Sequence, residues 1–306
     1  MMGEKLESNW REESWLIEYV ATHLTKGHVG LVLGAGASLQ NLPSWQKLLN
    51  QLYDSKATDG SPPFSDYRSG KSAAVVAQDI KKRYYQDDVG AFLNAVREAL
   101  YRGVNMDFKS LYREEKIAAM GALIMNSSRG RIANIISFNF DSVLETYLSY
   151  YGYTVSCIQS PRYYAENVDV TIYHPHGFLP HDLREKGTPS IILAQEEFEK
   201  EIGASDSPWR QQLVTILRTH FCLFIGLSGE DEHLRLLLTA AGSNHASRMT
   251  DSAYWGLRLA RPKDGGHHPI WEESRIYTHE VKNYDEALAD FLFRICQRAV
   301  QLIRGL

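Results

Sequence analysis

Apolar residues follow two rhythms along the chain. Short unbroken runs stop at glycine, asparagine or aspartate, and longer stretches repeat with the period of one helix face. Val29-Gly30-Leu31-Val32-Leu33 is a run of the first kind, ending in Gly34-Ala35-Gly36-Ala37-Ser38. It reads as a buried strand of a parallel sheet. Strand character returns at 132–138, 153–158, 170–173, 190–193, 221–225, 253–259 and 276–281. Helical stretches at 141–150, 208–220 and 231–241 separate several of these.

Between the first two strands the signal is helical. Val89, Phe92, Leu93, Val96 and Leu100 share one face, with Asp88 before them and Gly103 after. Ile117, Met120 and Ile124 repeat similarly, while 57–71 is loop by its Gly, Pro, Ser and Asp content. The last segment places Leu288, Phe291, Leu292, Ile295, Ala299 and Leu302 on one face. Strand–helix alternation predicts an α/β fold, a mostly parallel sheet with helices on both faces. A smaller helical module is inserted after the first strand. The expected layout is one catalytic unit over 1–306, with a core at about 15–40 and 128–306 and the helical module at about 41–127.

Composition narrows the partners. With 33 Lys+Arg against 37 Asp+Glu, the net charge of −4 lacks the positive field of a non-specific nucleic-acid binder. Cys157, Cys222 and Cys296 are far apart and form neither a disulfide framework nor a C-x-x-C pair for zinc. The polar N-terminus predicts no secretory signal, and the longest apolar run, 221–225, is too short for a bilayer. A cytoplasmic protein without metal or membrane contact is the expectation.

Four clusters carry candidate chemistry, each at the end of an expected strand, where open α/β sheets bind ligands. Gly34, Ala35, Gly36 and Ser38 form a turn whose backbone N–H groups no side chain obstructs, suited to a pyrophosphate. Position 39 is Leu39, not the third glycine of a dinucleotide fingerprint, and the Lys of a P-loop is missing. Asn139 and Asp141 follow the second strand, though Asp141 also reads as a helix cap. His174 and His176, two apart, point the same way in an extended chain. No third ligand stands at a telling spacing, so a general base beside Gly177 is the better reading than a metal pair. Gly226, Ser228 and Asp231 form a second turn for the other half of a dinucleotide, with Asp231 equally a helix N-cap.

The order of these four clusters resembles the sirtuin-like superfamily, which has Gly-Ala-Gly-x-Ser, a helical module, Asn-x-Asp, His-Gly and Gly-x-Ser. Here they read Gly34–Ser38, Asn139–Asp141, His176-Gly177 and Gly226–Ser228, within about 29–242. The resemblance implies a Rossmann-like sheet that binds NAD+ across its carboxyl edge and cleavage of the nicotinamide–ribose bond. It implies Asn139 and His176 as the catalytic pair, with Gly34, Ala35, Gly36, Ser38, Asp141, Gly226, Ser228 and Asp231 binding NAD+. The chain departs from protein deacylases: 178–210 contains no cysteine for their zinc ribbon, and Leu39–Trp45 lacks their Pro-Asp-Phe-Arg. Pro43-Ser44-Trp45 and the acidic run at 191–198 are more like prokaryotic NADase domains of antiviral defence. Trp45 reads either as a wall of the nicotinamide pocket or as plain core.

The activity this implies is NAD+ hydrolysis to nicotinamide and ADP-ribose. A protein deacylase and a non-catalytic NAD+ or ADP-ribose sensor are the alternatives, and cyclisation or ADP-ribosyl transfer differs only in the attacking group. No second globular pattern follows the last helix. Regulation is therefore expected from homo-oligomerisation or from a separate subunit, such as an ATPase, an Argonaute-like protein or a nucleotide-sensing enzyme.

Overall fold

The computed structural model describes residues 9–125, 132–161, 168–182, 190–191, 202–245, 254–262 and 268–305. Helix α1 (Glu13–Thr25) leads into β1 (Val29–Leu33). Then follow α2 (Trp45–Asp54), α3 (Phe64–Tyr67), α4 (Ala73–Tyr85), α5 (Val89–Leu100), α6 (Phe108–Tyr112) and α7 (Glu115–Ile124). After β2 (Asn134–Ser137) come α8 (Val143–Tyr150), β3 (Val155–Ile158), β4 (Val170–Tyr173), β5 (Gly177–Phe178) and β6 (Ser190–Ile191). The chain closes with α9 (Pro208–Thr219), β7 (Phe221–Ile225), α10 (Glu232–His245), β8 (Gly256–Ala260), α11 (Pro269–Glu273), β9 (Ile276–Glu280) and α12 (Glu286–Arg304).

Seven strands form one sheet in the order β3-β4-β2-β1-β7-β8-β9, with every pair parallel. This is the α/β, Rossmann-like architecture expected. The alternating pleat sends Leu31, Leu33, Ile135, Leu223 and Ile225 to one face, against α1, α7 and α12. Val32, Ile136, Cys222 and Phe224 face the other way, against α9, α10 and α11. Both faces are buried, so the strands read as continuous apolar runs rather than alternating ones.

Sequence caps start the helices between β1 and β2: Ser44, Ser72, Asp88 and Asp107 each accept a backbone N–H three residues on. Buried Leu48, Leu52, Ile80, Phe92 and Val96 join these helices to the same core that covers the α1 face of the sheet.

One expectation changes. Of the strand expected at 190–193, the described Ser190–Ile191 pairs antiparallel with Gly177–Phe178, in a ribbon separate from the main sheet. Residues 192–193 and 253 of the expected strands, and all but Ile191 of the acidic run at 191–198, lie outside the described residues. Among the described residues no helix is long and apolar enough to cross a membrane.

Topology and register place the site. The chain leaves β1 toward β2 on one side and later returns to β7 on the other, so β1 marks the switch point of the sheet. Leu33 is level with both Ser137 and Ile225, so the three following turns emerge side by side. Gly226 locks two of them together. Its φ is +75°, and a Cβ there would lie 2.3 Å from the Ala37 nitrogen. Gly226→Ala is therefore expected to cost about 3 kcal/mol or more, from left-handed strain plus overpacking. At Gly152, with φ +79° and open space around it, alanine should cost only about 1–2 kcal/mol. Urea unfolding of the two variants checks the difference.

Candidate functional site

The turns after β1, β2, β4 and β7 surround one cleft of about 950 Å³. Its wall includes Gly34, Ala35, Gly36, Ser38, Asn139, Asp141, His176, Gly226, Ser228 and Asp231, so every catalytic or NAD+-binding residue that the resemblance implied lines it, while His174 does not. Trp45 also lines it, half-buried and packed on Phe140 at 5.3 Å between ring centroids.

The glycine turns do something different from what their sequence suggests. The N–H groups of Gly34, Gly36, Ala37 and Ser38 donate to the carbonyls of Ile225, Gly226, Gly34 and Ala35. These donors close the turns on themselves and on each other rather than standing open for a phosphate. A Cβ on Gly36 would lie 2.6 Å from the Tyr284 ring and 2.8 Å from the Gly226 Cα. Glycine is needed for the backbones to meet.

Asn139 ties the second turn to the first: its Nδ2 donates to the Gly34 carbonyl at 3.0 Å. Its own carbonyl accepts from His174 Nδ1 at 3.1 Å, and His174 Nε2 meets Glu145 Oε1 at 2.9 Å. His174 is fully buried and Glu145 nearly so. Removing either partner leaves the other without its counterpart in a low dielectric, which is costly. The pair therefore anchors the loop that carries Asn139.

The expectation that His174 and His176 point the same way is corrected. The chain turns at Pro175-His176, with Gly177 N–H donating to the His174 carbonyl at 3.0 Å, so the two rings diverge. His176 faces the cleft, edge-on to Phe138 at 5.1 Å. Its Nε2 lies 2.7 Å from His233 Nδ1 and 3.4 Å from Asp231 Oδ2. Burial pushes the His176 pKa down, while Asp231 and a Phe138 backbone hydrogen bond oppose this. Burial and the neighbouring His176 push His233 down to about 4. A neutral imidazole facing the cleft can accept a proton. Asp231 serves twice, because its Oδ1 also accepts the Leu234 N–H at 2.9 Å as the cap of α10.

His233, Glu145 and Lys116 are contributors the sequence reading missed. Lys116 is almost wholly buried, lines the cleft, and has its ammonium 3.9 Å from Asp285 Oδ1. Burial lowers its pKa. The signal was present in its spacing, since Lys116 precedes Met120 and Leu123 on the buried face of α7. Glu145 similarly interrupts the buried face of α8. Lys116 and the exposed Arg261, stacked over Tyr284 at 4.6 Å, bring positive charge to the cleft wall.

Asp141 is buried and its Oδ1 accepts the Val143 N–H at 3.1 Å, so the capping reading holds together with the cleft position. Burial, then the nearby Glu145 charge, raises its pKa from 3.8 to about 6. Because the folded value exceeds the unfolded one, this group's stabilising share is full below pH 3.8 and lost as pH rises through about 6. Asp141→Asn keeps an acceptor for Val143 and removes the dependence. It should stabilise the fold by up to about 3 kcal/mol at pH 8 and by almost nothing at pH 3.5, measured by urea denaturation at both values.

The SIR2-like domain family matches residues 133–278. A solved structure titled "Structural Basis for the Mechanism and Regulation of Sir2 Enzymes" aligns over 94% of this chain and 98% of that one, at 13% identity and a TM-score of 0.47. No curated protein sequence matches. The matched segment carries Asn139, Asp141, His176, Gly226, Ser228 and Asp231, and over it the chain is similar to SIR2-like domains.

Proposed function

We propose that the chain is an NAD+ glycohydrolase that releases nicotinamide and ADP-ribose. The observation that carries this reading is the meeting of Asn139, Asp141 and the half-buried His176 with both glycine turns around one cleft. Its volume of about 950 Å³ is ample for a dinucleotide. Two cationic side chains, Lys116 and Arg261, support recognition of the diphosphate, a task the self-bonded glycine turns leave largely to other groups.

The nicotinamide of NAD+ is a cationic pyridinium and departs without a proton, so no general acid is needed. The remaining tasks are to hold the ribose and to aim and deprotonate one water. His176 Nε2 is the base that accepts the water's proton. Asp231, 3.4 Å from it, stabilises the imidazolium that results. Asn139, fixed by Gly34 and by the His174–Glu145 pair, positions the ribose or the water. Asp141 holds ribose hydroxyls, and Trp45 with Phe140 walls the nicotinamide.

The reading extends to an NAD+-depleting effector in antiviral defence, gated by assembly or by a regulatory subunit. An exposed aromatic cluster supports such an interface. Phe108, Tyr112, Tyr150 and Tyr151 are all exposed, and the other three rings lie within 5.8 Å of Phe108.

Incubation with NAD+, with products identified by mass, tests the reading. Nicotinamide and ADP-ribose should appear in equal amounts. His176→Ala and Asn139→Ala, each confirmed folded by circular dichroism, should lose at least about 100-fold in rate. Undiminished turnover in both variants defeats the assignment. Turnover that strictly requires an acylated peptide identifies a deacylase instead, and ligand binding without nicotinamide identifies a sensor.

A further inference from the structure

The sequence offered no third ligand for a metal beside His174 and His176, but the fold supplies two from another element. Asp231 and His233, from the start of α10, converge on His176 across the cleft mouth. One ligand atom from each, His176 Nε2, Asp231 Oδ2 and His233 Nδ1, falls within 4.8 Å of the others.

We propose that His176, Asp231 and His233 form a binding site for a divalent transition metal of the zinc class, whose occupation silences the cleft. Two imidazoles and one carboxylate are a recurrent donor set for such ions, leaving a fourth position for water. On a tetrahedral ion with bonds of about 2.0–2.1 Å, neighbouring donors sit roughly 3.3 Å apart. The His176–Asp231 separation of 3.4 Å already matches this. The two imidazole nitrogens, at 2.7 Å, must part by about 0.6 Å. None of the three residues is fully buried, so an ion reaches them from the cleft.

A second group, Glu145, Cys157 and His174, has comparable spacing. There both ring nitrogens of His174 are engaged, by Asn139 and Glu145, and the imidazole is fully buried. That burial leaves an ion no approach, whereas the cleft cluster is half-open, so the cleft cluster is the metal site.

The inhibitory consequence rests on the reading of His176 as the base, because an ion on Nε2 occupies the lone pair that would accept the water's proton. Metal binding itself does not depend on that reading. Cobalt(II), which reports tetrahedral ligation through visible absorption, is the probe for the first arm. Metal-free full-length protein should bind one equivalent with such a spectrum. His233→Ala, and Asp231→Asn, which keeps the α10 cap, should each weaken binding at least about tenfold. Cys157→Ser should leave it unchanged. A protein without the spectrum, a spectrum that survives both cleft variants, or one that follows Cys157 overturns the site.

In the second arm, zinc should suppress nicotinamide release from NAD+, and a chelator should restore it. Cobalt binding together with undiminished cleavage overturns the inhibitory role. Cobalt binding to a chain that never releases nicotinamide overturns the NAD+ reading and leaves the metal site standing.

Discussion

The site depends on two backbones touching. Three parallel strands that end level deliver their turns to one place, yet turns with side chains would hold each other apart. Gly36 donates its N–H to the Gly226 carbonyl, and Gly226 sits where any Cβ would overlap Ala37. Gly34 is equally enclosed, with a Cβ there reaching 2.5 Å from Leu227. The Asn139 amide then draws the third turn onto the Gly34 carbonyl. The three turns that floor the cleft are positioned from this knot, because β1 is the strand about which the connections reverse. The glycines thus earn their place by closing the floor of the cleft, and the groups that greet a ligand come from around it.

That distinction explains which parts of the site were legible in the sequence. Strands buried on both faces announce themselves as apolar runs, and the turn residues that end them are visible without any knowledge of pairing. Parallel order follows from the helices between, so the α/β class and the gathering of Asn139, Asp141, His176 and the glycine turns were readable. Partners contributed from elsewhere were not. Asp231 was visible as a strand-end acid, but nothing in its spacing says that it meets His176 across 55 positions of chain. His233, two residues later, was overlooked for the same reason. Lys116 and Glu145 left a trace only as charges on apolar helix faces, a pattern that tells burial but not purpose.

Those buried charges have a thermodynamic cost that packing alone would avoid. The Glu145 charge lies close enough to disfavour that of Asp141, and both residues are almost sealed from water. His174 offsets part of this through its bond to Glu145, and it reaches the Asn139 carbonyl with its second nitrogen. A nonpolar replacement of the set would fill the same space at lower cost, since buried ion pairs rarely outdo well-packed apolar groups. What the polar set provides is direction. A carbonyl held from one side and an amide held from the other fix Asn139 in both position and rotation, which a hydrophobic contact cannot do.

The two histidines show how little sequence is needed to separate support from chemistry. They are two residues apart, and in a strand they would share a face and a role. Pro175 and the φ of +94° at Gly177 break the extended path at once after β4. His174, still level with the sheet, turns inward to Glu145, while His176 is carried over the edge to Asp231 and His233. The first imidazole is sealed from solvent between Asn139 and Glu145, so it can only hold. The second keeps Nε2 at the cleft among polar partners from another element, so it can exchange a proton or accept an ion. One turn therefore separates the two imidazoles, and the residue types alone do not: the same His-Pro-His sequence in an unbroken strand would leave either the cleft or the Asn139 loop without an imidazole.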